Sequence, residues 1–433
     1  MILDDSKIEN FVKSYLDSKQ KEVFVPGKTL IPPSGKLIGS KEIEYMISAS
    51  LDGWLTTGRF NKEFEKNLAD FLKIKHLITV NSGSSANLIA FSSLTSHLHK
   101  ERTIKPGDEI ISVAAGFPTT VNPIFQNGAV PVFVDIKLPT YNINENLIEA
   151  AITKKTKAIF LAHTLGNPFN IHKIKELCEK YNLWLIEDNC DALGSKYNNQ
   201  FTGTFGDVAT LSFYPAHHIT MGEGGAVFTN NFRIKRIAES FRDWGRDCYC
   251  EPGQENTCNK RFGWKLGELP EGYDHKYIYS HLGFNMKITD MQAACGLGQL
   301  NNLESFISKR KTNVEYLRNE LKSYENEIIL PKAEINSDPS WFGFPITLKE
   351  NSKFKRKNLI QFLTEAKIGT RLLFAGNLTK QPAYIKKKFR ISSELKVTDL
   401  IMNNTFWVGI QPSLGEEELN HTANTIKKFF NKN

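Results

Sequence analysis

The chain has 433 residues, 40% of them hydrophobic and 24% charged, enough to bury a full core and, by length, to form about two or three domains. Its formal net charge of +8 is spread along the chain apart from short pieces such as Lys386-Lys387-Lys388, which argues against nucleic acid as a partner. No apolar run reaches membrane-spanning length, so no membrane association is expected and the cytoplasm is the expected compartment.

In chain order, the first stretch, "MILDDSKIENFVKSYLDS", places Ile8, Phe11, Val12, Tyr15 and Leu16 on one face at helical spacing, an amphipathic helix rather than a signal peptide. Residues 1–40 are therefore read as an N-terminal helical segment. From about Lys75 to Thr229, short apolar runs alternate with helix-period stretches: "HLITV", "EIISVAA", "VPVFVD", "KAIFLAH", "WLIED", "ATLSFYP" and "GAVFTN" are the strand candidates. This alternation predicts an α/β domain over 41–305, with a large, mostly parallel sheet covered by helices on both faces. Ile288 to Leu321 reads as strongly helical. "SWFGFPITL" and a last helix from Glu416 then predict a smaller α+β C-terminal domain over 306–433.

Ligands of parallel sheets sit beyond the carboxyl ends of the strands, and polar groups gather there. After "HLITV" comes "NSGSSANLIA", Asn81 to Ala90. Its glycine and serines suit either a phosphate cradle or an ordinary capped helix start. "WLIED" ends on Asp188, a carboxylate closing an apolar run, which needs a cationic or hydrogen-bonding partner. Ser212 offers a hydroxyl at another strand end.

These pieces, with "DGWLTTGRF", "AAGFPTTVNPI" and "GFNMKITDMQAACGLGQL", resemble the fold-type I pyridoxal phosphate enzymes of the DegT/DnrJ/EryC1/StrS sugar aminotransferase family over most of the chain. The resemblance implies that Gly83, Ser84 and Ser212 hold the cofactor phosphate, that Phe117 stacks on the pyridine ring and that Asp188 pairs with the ring nitrogen. It also implies a homodimer in which Asn285 reaches the phosphate of the neighbouring subunit.

One departure from that family is informative. The position that its aminotransferases give to a cofactor-bonding lysine is His217 here, in "LSFYPAHHITMGEGG", and no lysine occurs between Lys196 and Lys235. Imidazole cannot make that covalent link, so the cofactor is expected as pyridoxamine 5′-phosphate, or pyridoxal phosphate held noncovalently. A histidine titrating near neutrality still serves as a general base. The competing readings of His217-His218 are a structural pair, or a silent sugar-nucleotide binding protein.

Six cysteines complete the pattern. Cys178 and Cys295 sit in apolar helical settings, whereas Cys190, Cys248, Cys250 and Cys258 read as C-x57-C-x-C-x7-C. Disulfides are not expected in the cytoplasm, and four thiolates suit zinc or a [2Fe–2S] cluster. Cys190 follows Asp188 by two residues, so their α-carbons lie at most about 7 Å apart. A metal there would neighbour the cofactor, where an electron carrier has a use and structural zinc has none. The same spacing, with histidine for lysine, resembles the CDP-4-keto-6-deoxy-D-glucose 3-dehydrases. That resemblance implies removal of a C3 hydroxyl from a CDP-4-keto-6-deoxyhexose on the way to O-antigen dideoxysugars of lipopolysaccharide. Electrons would come from a separate NADH-dependent flavin and iron–sulfur reductase, since this chain has no Gly-x-Gly-x-x-Gly fingerprint. Arg242, Arg246 and Lys260 flank the cysteine loop and are candidates for steering such a partner. Arg59, Arg371 and Asn377 are candidates for substrate contacts. The alternatives are a GDP-4-keto-6-deoxy-D-mannose 3-dehydratase-like enzyme without a cluster, and a silent protein with zinc.

Overall fold

Seven apolar runs form the strands β1 (His76–Val80), β2 (Glu109–Val113), β3 (Val130–Val134), β4 (Thr156–Ala162), β5 (Trp184–Asp188), β6 (Val208–Ser212) and β7 (Gly225–Thr229). They coincide with the seven runs expected as strands, in a computed structural model that describes residues 5–19, 23–250 and 252–432. Strands β3, β5, β6 and β7 are buried along their whole length, which a strand tolerates only when both of its faces are covered. The C-terminal part adds β8 (Ile328–Ile329), β9 (Phe344–Leu348), β10 (Thr370–Leu372), β11 (Arg390–Ile391) and β12 (Thr405–Val408).

The main sheet has the order β1-β7-β6-β5-β4-β2-β3-β11. Pairing is parallel from β6 through β11, while β7 runs antiparallel to both β1 and β6. Alternate side chains feed opposite layers: Ile110 and Phe160 join one core, Ile111 and Ile159 the other. Each such side chain contributes about 1.5–3 kcal/mol on burial. The second sheet, β8-β9-β12-β10, is antiparallel.

The N-terminal helix α1 (Asp5–Ser18) packs on α2 (Ser40–Leu51), followed by α3 (Arg59–Leu72). The apolar face of α1 is narrower than expected. Ile8 and Val12 are buried, but Phe11 and Tyr15 are exposed, because α2 covers only the i, i+4 stripe that carries the first pair. Residues 1–4 of that stretch lie outside the described residues. Helices α4 (Gly83–Ser93), α5 (Pro118–Gln126), α6 (Ile171–Tyr181) and α7 (Phe232–Arg242) cover the main sheet.

The long helical pattern near residue 300 is two helices, α8 (Asp290–Leu300) and α9 (Leu303–Leu321), broken at Asn301-Asn302. Asn302 leaves helical geometry with ψ near 0°, and asparagine is a poor helix interior residue. Helix α9 leads to the second sheet, which it covers with α10 (Arg356–Glu365) and α11 (Glu416–Lys432). The chain returns to the main sheet through β11 beside β3. Among the described residues, no helix is long and apolar enough to cross a membrane.

Candidate active site

The carboxyl ends of β5 and β6 and the amino ends of α4 and α5 open onto one cavity of about 1,090 Å³. Gly83 begins α4, and Ser82 caps it by accepting from the Ser85 N–H. The next amides have no intrahelical partners and form an anion site. Position 83 must be glycine: a Cβ there would lie 2.4 Å from the Ser212 Cβ. That contact brings the Ser212 hydroxyl against the helix end, so Gly83, Ser84 and Ser212 share one wall of the cavity.

Asp188 is buried at the end of β5, and among the described residues no lysine or arginine lies in the cavity beside it except Arg371. Three donors hold it: Asn87 Nδ2 at 2.8 Å, Thr120 Oγ1 at 2.7 Å and the Cys190 N–H at 3.2 Å. Asn87 is itself oriented by the Thr210 hydroxyl at 2.7 Å. Phe117, at the N-cap of α5, is half-exposed over the cavity and meets Phe374 edge-on. A cradle that a Cβ would fill, a fixed carboxylate and an aromatic lid together fit a phosphorylated, protonated aromatic ring.

The two adjacent histidines part company. His217 lines the cavity, with its ring 5.1 Å from that of Phe342. His218 points into the core, where its Nε2 lies 2.9 Å from the Ser340 carbonyl. Arg310, 1% exposed on α9, donates to the carbonyls of Trp341, Phe342 and His217 and so staples the histidine loop to the second layer. Burial lowers His217 to about 4; the Asp188 carboxylate opposes that shift and Arg310 reinforces it. The imidazole is therefore neutral at pH 7 and has a free lone pair. Asp191 lies 3.6 Å from its Nδ1, and burial next to Asp188 raises Asp191 to about 8. None of the described residues lining the cavity is a lysine.

The cysteines divide. Cys248, Cys250 and Cys258 converge on His275: Cys248 Sγ lies 3.3 Å from Nε2, Cys250 Sγ 3.9 Å from Nε2, and Cys258 Sγ 3.1 Å from Nδ1. Donor atoms of Cys248, Cys250 and His275 all fall within 4.8 Å of one another, a spacing that suits a metal ion. Burial works against the Cys250 thiolate, but hydrogen bonds from Thr257, the Cys258 backbone and the neighbouring thiols outweigh it and lower Cys250 to about 7. Cys190, the fourth member of the spacing, is not in this group. It lines the cofactor-sized cavity, 3.9 Å from the Thr210 hydroxyl, because it lies two residues beyond Asp188 at the end of β5.

Other expected residues also separate. Arg371 lines the cavity. Asn377 instead caps a short turn and bonds Asp399, and Arg59 pairs with Asp52 at a different cavity. Asn285 is exposed and does not line the cavity of its own chain. Arg242 is committed to Asp243, Glu65 and the Thr79 carbonyl, so it is not available to steer a partner. Arg246 lies over Trp244, and Lys260 is exposed.

The sequence profile described as the DegT/DnrJ/EryC1/StrS aminotransferase family matches residues 36–427. The chain is 60% identical over 428 residues, 99% of this chain and 98% of the relative, to the lipopolysaccharide biosynthesis protein RfbH of Salmonella typhimurium. It is 48% identical, over 97% of this chain and 91% of the relative, to the dTDP-4-dehydro-2,6-dideoxy-D-glucose 3-dehydratase of Saccharopolyspora spinosa. Among solved structures, it is similar to the E. coli GDP-4-keto-6-deoxy-D-mannose-3-dehydratase with bound hydrated PLP. That likeness has a TM-score of 0.82 and 29% identity, over 92% of this chain and 99% of the other.

Proposed function

Because this chain belongs to the DegT/DnrJ/EryC1/StrS aminotransferase family, we propose that it is a pyridoxamine phosphate-dependent C3 dehydrase of a nucleotide-linked 4-keto-6-deoxyhexose. Its substrate in this reading is CDP-4-keto-6-deoxy-D-glucose, in 3,6-dideoxyhexose synthesis for lipopolysaccharide O-antigen. The observation that carries the reading is a cavity lined by Gly83, Ser84, Phe117, Asp188 and Ser212 together with His217, with no lysine among its described lining residues. The names of the two relatives, a lipopolysaccharide biosynthesis protein and a 3-dehydratase, support it.

When bound, pyridoxamine phosphate supplies an amine that condenses with the sugar ketone and a conjugated ring that spreads developing negative charge. The residues do the rest. The amides of Gly83 and Ser84, with the Ser212 hydroxyl, would hold the phosphate, and Asn285 of a second copy in a homodimer would reach it too. Asp188, already fixed by Asn87 and Thr120, would take the ring N–H. Phe117 would cover one ring face. His217, neutral through burial, would take a proton from the C4′ carbon and pass a proton to the departing C3 hydroxyl, which would leave as water. A lysine would instead carry the cofactor covalently and return an amino sugar.

Dehydration is redox-neutral, whereas a 3-deoxy ketone needs two further electrons. In this reading they pass singly through a [2Fe–2S] cluster on Cys190, Cys248, Cys250 and Cys258, supplied by an NADH-dependent flavin and iron–sulfur reductase. The loop donors fit such a group: three thiols surround one buried imidazole, and one thiol titrates near neutrality.

The test is anaerobic turnover. With pyridoxamine phosphate and the CDP-sugar alone, C4′ hydrogen should exchange with solvent without accumulation of 3-deoxy product. NADH and the reductase should then release the 3,6-dideoxy-4-ketose. A borohydride-reducible covalent adduct, or amino sugar formed with glutamate, would overturn the reading. Zinc in place of iron in freshly prepared protein would overturn the electron-transfer part alone.

A further inference from the structure

The cofactor cavity and the cysteine loop are separate places in one chain. Cys190 lines the first. Cys248 and Cys250 border a second, polar cavity of about 550 Å³ between α3 and α7, and the two cavities share no lining residue. Asn285, too, is exposed and does not line the cofactor cavity of its own chain. Backbone pairing of Asp243 with Asn285 and of Arg246 with Tyr279 ties it to the segment that carries the cysteines. This arm, 243–285, thus holds two sets of groups that belong chemically with the cofactor cavity, and it brings neither to the cavity of its own chain.

The arm's outer surface shows what it meets. Leu282 is 95% exposed, and Tyr277, Phe262 and Tyr279 are each at least half-exposed. Apolar patches of this kind mark interfaces. The cavity is open as well, with Phe117 and Tyr214 half-exposed at its edge. A surface that lacks a cavity and a cavity that lacks an arm are complementary halves of a two-fold, isologous contact, in which each subunit gives what it receives.

We propose that the metal centre is built between two copies of this chain, Cys248, Cys250 and Cys258 of one subunit being completed by the partner subunit's Cys190. The proposal rests on the iron–sulfur reading above and settles where the fourth thiolate comes from. It places each redox centre against the partner's cofactor rather than its own chain's, and it makes two centres per dimer. His275, between Cys248 and Cys258, remains beside the bound thiolates as a positioning residue.

Mixed dimers test this directly. Chains carrying Cys190→Ser and Cys258→Ser are co-expressed with different affinity tags, the heterodimer is isolated, and all species are reconstituted anaerobically with ferrous iron and sulfide. Each mutant homodimer should lack the chromophore. The heterodimer should regain one intact site, formed by the loop of the first chain and Cys190 of the second, and so about half of the wild-type iron and visible absorbance per dimer. A heterodimer that holds pyridoxamine phosphate but no iron would place all four ligands in one chain and overturn the proposal. Full iron in the Cys190→Ser homodimer would overturn it too, by making His275 the fourth ligand. A wild-type dimer that forms no chromophore would fail the iron–sulfur reading itself, and this proposal with it.

Discussion

The cofactor cavity and the cysteine arm are built on opposite principles. In the cavity, each functional group is fixed by its own chain: Asp188 by three donors, Ser212 by contact with Gly83, the His217 loop by Arg310. Those supports come from strand ends and helix starts, the stiffest parts of an α/β sheet. Among the described residues between Asp243 and Thr289 the arm has only one short 3₁₀ turn, His275–Tyr277, and it buries Ile278 and Ile288 but leaves Phe262, Tyr277, Tyr279 and Leu282 exposed. Its donors converge, but no regular element holds them. The first site is thus preorganised by folding, whereas in our proposal the second is completed by a metal and a second copy of the chain.

The largest expected effect would break that division at the cavity. His217→Asn should bind cofactor and metal normally yet lose C4′ exchange and sugar dehydration by about 10²- to 10⁴-fold. His218→Asn should affect stability more than exchange, since His218 is turned into the core. Full exchange in the His217 variant would remove it from the reaction. On the arm, Cys258→Ser should abolish the visible chromophore while leaving C4′ exchange intact, because proton removal needs no electron. His275→Phe should weaken metal retention by about 10- to 100-fold, in line with other residues that orient ligands, as read by competition with a chelator. A loss of exchange equal to the loss of metal would show that the two sites do not fold independently.

A smaller effect tests the preorganisation itself. Gly83→Ala forces a methyl group to within 2.4 Å of the Ser212 Cβ, and overpacking of this kind costs about 1–3 kcal/mol. Pyridoxamine phosphate affinity should fall about tenfold or more, measured by equilibrium dialysis, with metal content unchanged.

Much of this was legible in the sequence, for reasons that differ by region. The seven strand runs were visible because strands buried on both faces, or nearly so, carry mostly apolar residues in an unbroken run. Gly83, Asp188 and Ser212 were visible because polar groups that interrupt such runs fall at strand ends. The supports were not. Asn87 and Thr120 look like ordinary helix residues until α4 and α5 dock beside β5. Arg310 reads as a solvent-facing charge on a helical repeat, and only the packing of α9 against the histidine loop buries it. The metal-type spacing was plain, but spacing says nothing of distance in space. Between Cys190 and Cys248 the chain crosses β6, β7 and α7, which carry it away from the cavity. His275 had one faint signal, a histidine in the irregular stretch "EGYDHKYIY", 17 positions after Cys258.

The mildest prediction concerns the root of the arm, where His281 lies between two hydroxyls, its Nε2 2.8 Å from Ser96 Oγ and its Nδ1 2.9 Å from Ser240 Oγ. Burial lowers His281 to about 4, with small additions from His97 and His99. An unfolded histidine titrates near 6.5. Between pH 6.5 and 4 the unfolded chain therefore binds a proton that the folded chain does not, so this contribution to stability is complete above 6.5 and declines as the pH falls. His217 has the same sign, but Asp191 opposes it: held protonated up to about 8, it favours the folded state increasingly as the pH drops toward its unfolded value. Because those two face each other at 3.6 Å, they largely offset, and His281 is the cleaner probe. Urea midpoints at pH 7 and pH 5 should fall by less in His281→Gln than in wild type, the difference amounting to about 1 kcal/mol after allowance for partial solvent screening. Hydrogen exchange at pH 5 should localise that difference to the arm, with the amides of β5 and β6 unaffected. An equal pH dependence in wild type and variant would mean that the arm root is already open to solvent, and that the arm depends on its partner and metal from its base outward.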